Sequence, residues 1–132
     1  MAEQSCCCSP DTAAVLSCSG GSNVGQVANE VARRIETAGL AKFFCLAGVG
    51  GHISGMVASA KGAQRVLVVD GCPVACGKKC MEEAGLREYD YLVVTELGID
   101  KNRNFNLPTS DVEKAMAAAE EKLNAPVRPA RT

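Results

Sequence analysis

Eight cysteines in 132 residues are the part of this sequence best equipped for chemistry. Three of them, Cys72, Cys76 and Cys80, recur every four residues in R-V-L-V-V-D-G-C-P-V-A-C-G-K-K-C-M-E-E-A-G, residues 65–85. On a helix that spacing lines them along one face. The run Val66 to Val69 before them has the apolar, β-branched composition of a fully buried parallel strand. It ends at Asp70-Gly71, and Pro73 suits a first helical turn, where its missing N–H would be unused anyway. Thiols at a helix start, with Lys78 and Lys79 close by, favour the thiolate form. Thiolates bind soft metals and attack electrophiles alike, so the pattern leaves both uses open.

The elements that must hold these thiols follow from the apolar pattern. Ala13 to Ser17 reads as a first strand, ending in C-S-G-G-S-N-V-G-Q from Cys18. A helix follows, with Val24, Val27, Ala28, Val31, Ile35 and Ala38 as one stripe, Ser22 or Asn23 as N-cap and Gly39 as its stop. Lys42 to Ala47, containing Cys45, is a second strand, and G-V-G-G-H-I-S-G leads into a small-residue helix from about His52 to Lys61. The third strand and helix carry the three spaced cysteines, and Gly85 closes that helix. Tyr89 to Glu96 is a fourth strand. After a polar loop, Ser110 with Glu113 forms a capping box for a last helix whose buried stripe is Val112, Met116, Ala119 and Leu123.

Strands that alternate with helices imply an α/β domain: a mainly parallel four-stranded sheet with helices on both faces, in the order 2-1-3-4. Residues 12–124 form this single domain, residues 1–11 a flexible lead containing Cys6, Cys7 and Cys8, and residues 125–132 a flexible tail. The order places strands one and three side by side with their outgoing loops diverging, the crevice where ligands bind in open sheets. Cys18 and Cys72 both arrive there.

On a regular helix Cys72 and Cys80 would lie about 12 Å apart, too far to share one ion. Zinc–sulfur bonds are about 2.3 Å. One ion would then take Cys76 with either Cys72 or Cys80, plus Cys18, and Cys45 or His52 could complete the set; all three helix cysteines join only if the helix start is irregular, as Gly77 would permit, or if two ions bind. Cys45, inside a strand, and Cys80, two turns into its helix, read equally well as core residues, because a buried free cysteine behaves as a small apolar side chain. His52, the sole histidine, suits a helix start better than a ligand position. The loop of Gly20, Gly21, Ser22, Asn23 and Gly25 follows a strand and opens a helix, a setting that can cradle an anion. It fits neither the Walker loop nor the dinucleotide fingerprint, and a tight turn for close packing explains it as well.

The segments C-S-G-G-S-N-V-G-Q-V-A-N-E, C-L-A-G-V-G-G, V-D-G-C-P-V-A-C-G-K-K-C and T-E-L-G-I-D-K, in this order, resemble the DGC domain family, which is described as zinc-binding. The resemblance runs from about Ala13 to Phe105. It implies a role for Cys18, Cys45, Cys72, Cys76 and Cys80, and zinc as their ion. It implies no reaction, and it does not extend to Cys6, Cys7 and Cys8.

Composition narrows the alternatives. Formal net charge is −1 with no basic stripe, which argues against nucleic-acid binding. Aromatics are 4 % with no tryptophan, so the core is aliphatic. No apolar run is long enough for a membrane span, and the N-terminus lacks the basic and apolar regions of a signal peptide. A cytoplasmic location follows as the expectation, where eight cysteines mean metal or thiol chemistry rather than disulfides. The expected function is a metal-binding protein holding zinc, or another thiophilic metal, at the carboxyl edge of its sheet. The rivals are a thiol-dependent redox or sulfur-transfer enzyme with Cys18 or Cys72 as nucleophile, and a partner-binding module whose metal is structural. Whether it is an enzyme, and whether it forms a homo-oligomer, stay open at this point.

Overall fold

A computed structural model describes residues 13–126. Cys6, Cys7 and Cys8, the lead that carries them and residues 127–132 lie outside the described residues. The chain runs β1 (Ala13–Ser17), α1 (Asn23–Thr37), β2 (Lys42–Phe43), α2 (Leu46–Gly50), α3 (Ser54–Gly62), β3 (Arg65–Asp70), α4 (Cys76–Glu83) and β4 (Asp90–Val93). A 3-10 turn, Val94–Leu97, follows, and α5 (Thr109–Asn124) ends the fold. The four strands form one parallel sheet in the order β2-β1-β3-β4. This is the expected α/β domain.

Every residue of β3 is buried, because both faces of the sheet are covered. Val15, Leu67, Val69 and Leu92 pack under α1 and α5, with Val27, Val31, Ile35, Val112 and Ala115. Ala14, Leu16, Val66 and Val68 pack on the other face with Val49, Ala60, Met81 and Leu86. The period-two alternation of each strand thus feeds two separate cores. At the amino edge of the sheet, Arg65 bonds the Leu123 carbonyl at 2.6 Å and pairs with Asp90 at 3.3 Å, which ties the end of α5 to β3.

The structure corrects several local expectations. The fourth strand runs only from Asp90 to Val93, because the chain turns into a 3-10 helix at Val94–Leu97. β2 pairs over two residues only, and Cys45 leaves the strand to stand at the N-terminus of α2, where its carbonyl accepts the N–H groups of Gly48 and Val49. The helix after β3 begins at Cys76, not at Cys72. Residues 72–75 instead form a turn closed by the Ala75 N–H to the Cys72 carbonyl, so Cys72 does not share a helical face with Cys76 and Cys80. α5 begins one residue before Ser110, because the Pro108 carbonyl takes the N–H groups of Asp111 and Val112, and no side chain caps it. Its buried stripe is Val112, Ala115 and Ala119, while Met116 and Leu123 are only half-buried. The stripe on α1 stops at Ile35, since Ala38 is its exposed C-cap. Ser22 is the N-cap of α1, its hydroxyl accepting the Gly25 N–H at 3.2 Å, and Gly39 and Gly85 adopt the left-handed conformation that ends α1 and α4.

Candidate functional site: a four-thiol pocket at the carboxyl edge

Four of the five described cysteines line one pocket. Cys18 follows β1, Cys45 follows β2, and Cys76 and Cys80 lie on α4, and all four line one open pocket of about 650 Å³. Its other walls are Ser17, Ser19 and Gly20 from the end of β1, Asn29 of α1, and Phe43, Phe44, Leu46 and Ala47. Parallel strands all end at the same edge, so thiols placed just past β1 and β2 and on the helix after β3 converge without any one segment containing them all. Cys76 and Cys80, four residues apart on α4, project on the same side of that helix. A second, smaller hollow of about 70 Å³ sits at the opposite edge between Ala63–Val66 and Glu88–Asp90 and contains no thiol.

Cys18 is half-buried, and burial is the main reason its thiol is pushed above the usual range. The charges of Asp70 and Cys76 act the same way, against backbone hydrogen bonds with Gly20 and Gly71. The Cys80 thiol is also pushed up, by burial first and then by Cys76 and Asp70. Its sulfur packs against Gly50, where an added Cβ would come within 2.9 Å of it. These two thiols are therefore held protonated in the ion-free protein. Among the described residues, no three His, Cys, Asp or Glu side chains stand close enough together to hold an ion. The pocket is a place where thiols converge and not a finished cage: an ion must displace their protons and draw the sulfurs together.

The donors nonetheless fit a thiophilic metal. Sulfur is the ligand zinc takes in its closed, four-coordinate sites, and the pocket supplies four. The hydroxyl of Ser17 in the same wall has no hydrogen-bond partner, alone among the buried side-chain oxygens and nitrogens of the described residues. Buried polar groups without partners are rare in finished structures.

Cys72 does not line the pocket. It packs at the edge of the core beneath α1, and the Lys101 ammonium donates to its sulfur at 3.4 Å. Lys101 is presented by a loop fastened to the start of α1: Asn23 Nδ2 donates to the Asp100 carbonyl at 2.8 Å, the Asn102 N–H donates to Asn23 Oδ1 at 2.6 Å, and Arg103 donates to the Gly21 carbonyl at 2.9 Å. Nothing in the sequence pattern signals this contact. His52 is exposed, in the left-handed conformation between α2 and α3, and is not part of the pocket wall.

Three N–H groups at the glycine loop are taken up inside the protein. The Asn23 N–H goes to the Asn102 carbonyl, the Gly25 N–H to Ser22 Oγ and the Gln26 N–H to the Ser22 carbonyl. Its glycines also permit close contact: a Cβ on Gly25 would lie 2.8 Å from the Gly20 nitrogen, and one on Gly71 would lie 2.6 Å from the Gly25 nitrogen. Gly25 thus lets the turn after β1 close on Gly20, and Gly71 lets the loop after β3 touch the start of α1.

One further residue was not read as part of the site from the sequence. Asp70, at the end of β3, is 1 % exposed. It accepts the N–H groups of Gly77 at 2.7 Å and Lys78 at 3.0 Å, and the Tyr91 hydroxyl at 2.7 Å. The first two are unpaired donors of the α4 N-terminus. Burial, then the hydrogen bond to Asp70, pushes the Tyr91 hydroxyl far up, so it stays a donor at any ordinary pH. A carboxylate closing the apolar run Val66–Val69 is the signal that could have revealed it.

Fold and site together describe a parallel α/β domain with a thiol-walled pocket at the carboxyl edge of its sheet. The family comparison agrees: the DGC domain model matches residues 14–119, and the chain belongs to the DGC domain family. It is also similar to the anaerobic and virulence modulator AnvM of Pseudomonas aeruginosa strain PAO1, 36 % identical over 109 residues, which cover 83 % of each chain. No solved structure matches it. Among the described residues, no helix is long and apolar enough to cross a membrane.

Proposed function

We propose that this protein is a cytosolic metal-binding protein that holds zinc, or a comparably thiophilic ion, through Cys18, Cys45, Cys76 and Cys80. The observation that carries the reading is the convergence of these four cysteines, from three separate crossings of the sheet, on one pocket. Bound, the ion would supply a fixed positive centre that replaces up to four protons and cross-links β1, β2 and α4. Cys18 and Cys80 give up their protons reluctantly, so loading releases protons and strengthens as pH rises. The Pseudomonas relative is named a modulator, and a site that stiffens a surface on loading suits a regulatory role better than turnover. The test is competition between the ion-free protein and a chromophoric chelator for Zn²⁺. Wild type should take the ion, whereas Cys18→Ser and Cys76→Ser should each weaken it at least tenfold. Unchanged affinity in both variants would show that the ion sits elsewhere.

A second reading, a thiol enzyme, is favoured by one observation only, the Lys101 ammonium beside Cys72 outside the pocket. It selects Cys72 over Cys18 as the nucleophile, because burial holds the Cys18 thiol protonated. Peptide-resolved alkylation of ion-free protein at neutral pH should then find Cys72 the fastest, and Lys101→Ala should slow it. Equal, slow rates at every cysteine would remove this reading.

A further inference from the structure

The start of α4 departs from ordinary helix construction. Ala75, immediately before Cys76, has φ 61° and ψ 45°, the left-handed conformation that a residue with a Cβ rarely adopts. No side chain at Ala75 itself caps the helix. The cap comes from Asp70, seven and eight residues upstream, whose two carboxylate oxygens take the N–H groups of Gly77 and Lys78. The approach is close enough to exclude any side chain at position 77: a Cβ there would lie 2.7 Å from Asp70 Oδ1 and 3.0 Å from Val68 Cγ1. Strained backbone persists where its surroundings over-determine it. Here the surroundings are a buried carboxylate fixed on its far side by the Tyr91 hydroxyl, and the Lys78 ammonium stands 5.3 Å from the Tyr91 ring.

We propose that Asp70 is a positioning residue of the thiol pocket: by gripping the first N–H groups of α4 it holds the left-handed turn at Ala75, which delivers Cys76 to the pocket beside Cys18 and Cys80. Asp70 is not in the pocket wall and acts through Cys76. The inference rests on the metal-binding reading for its consequence but not for its geometry. It separates the three spaced cysteines by role: the turn that Asp70 fixes leaves Cys72 outside the pocket and brings Cys76 in.

The test uses the full chain, with Cd²⁺ as probe and the sulfur-to-cadmium absorbance as readout. Asp70→Asn keeps the size of the side chain but offers an amide N–H₂ to one of two N–H groups, so it cannot grip both. It should weaken Cd²⁺ by about 10- to 100-fold, the usual loss when a residue that orients a ligand is changed. Adding Ala75→Gly, which lets the turn form without strain, should restore at least tenfold. An effect of the Asp70 charge alone would not be rescued in this way, so failure of rescue overturns the proposal, as does wild-type affinity in Asp70→Asn. Should Asp70→Asn not fold, Tyr91→Phe, which frees one side of the carboxylate, should still weaken Cd²⁺ several-fold, and no change there overturns the proposal. Amide hydrogen exchange at Gly77 and Lys78 in ion-free protein gives a reading independent of metal. It should accelerate at least tenfold in Asp70→Asn, or several-fold in Tyr91→Phe, and unaltered protection overturns the proposal. Wild-type protein that shows this protection but takes no Cd²⁺ would instead sink the metal-binding reading and leave the positioning intact.

Discussion

The two loops that leave the centre of the sheet do the same job by opposite means. After β1, the chain reaches α1 through a glycine-rich turn with a local serine cap, Ser22 to the Gly25 N–H. After β3, it reaches α4 through a left-handed alanine and a cap from a buried carboxylate in the strand below. The first loop is locked from outside by the 98–108 segment, through Asn23, Asn102 and Arg103. The second is locked from beneath, by Asp70 and Tyr91. One supplies Cys18, the other Cys76, and they touch at Gly71 and Gly25. The lesson is that a thiol pocket of this kind depends on the junction between two loops as much as on the cysteines.

Breaking that junction should have the largest effect. A Cβ at Gly71 would meet backbone of the first turn of α1, 2.6 Å from the Gly25 nitrogen and 2.7 Å from the Val24 carbonyl carbon, and neither can swing aside. Gly71→Ala should cost about 3 kcal/mol, at the upper end of overpacking penalties, read as a lowered urea midpoint.

Legibility followed the same divide between the loops. β1, β3, the α1 stripe to Ile35, the Ser22 cap and the strand order were readable, because each has a signal local to its own segment or follows from alternation. The start of α4 was not. Pro73 offered a plausible first turn, but the cap that sets the true start lies in β3, outside any local window. Cys45 falls within Lys42 to Ala47, a short, largely apolar run that fits strand or helix start equally. Topology alone brings Cys18 and Cys72 to the crevice; the turn at residues 72–75 puts Cys76 rather than Cys72 in the pocket with Cys18, and the Lys101 contact to Cys72 depends on how an irregular loop folds back. The wall of Phe43, Phe44 and Asn29 became visible only with the pocket itself.

Smaller perturbations sharpen the comparison. Ser22→Ala removes the local cap of the first loop and should cost about 1 kcal/mol, measurable in the same urea series, with Zn²⁺ affinity changed far less than by Asp70→Asn. A modest alkaline loss of stability should follow from the raised thiols. Cys18 and Cys80 ionise later in the folded chain than in the unfolded one. Their contribution is therefore complete below the usual thiol pKa and is lost as pH rises from there through the raised folded values. Urea midpoints of ion-free protein should fall over that alkaline window, and a Cys18→Ser, Cys80→Ser double variant should flatten the fall. The ion-loaded protein should show the reverse slope on the acid side, where protons compete with the ion. The smallest effect should come from Ser17→Ala. The Ser17 hydroxyl is buried without a partner, so its removal should leave the ion-free protein as stable as before or slightly more so. A clear loss would mean that this oxygen is bonded in solution.

The most direct trial of the four-thiol pocket is intact mass of the full chain, purified without an affinity tag, under native and denaturing conditions. The native mass should exceed the denatured mass by that of a bound metal ion, and Cys76→Ser should abolish the difference. Equal masses in wild type, persisting after Zn²⁺ is supplied and excess removed, or a metal adduct that survives in both Cys18→Ser and Cys76→Ser, would contradict it.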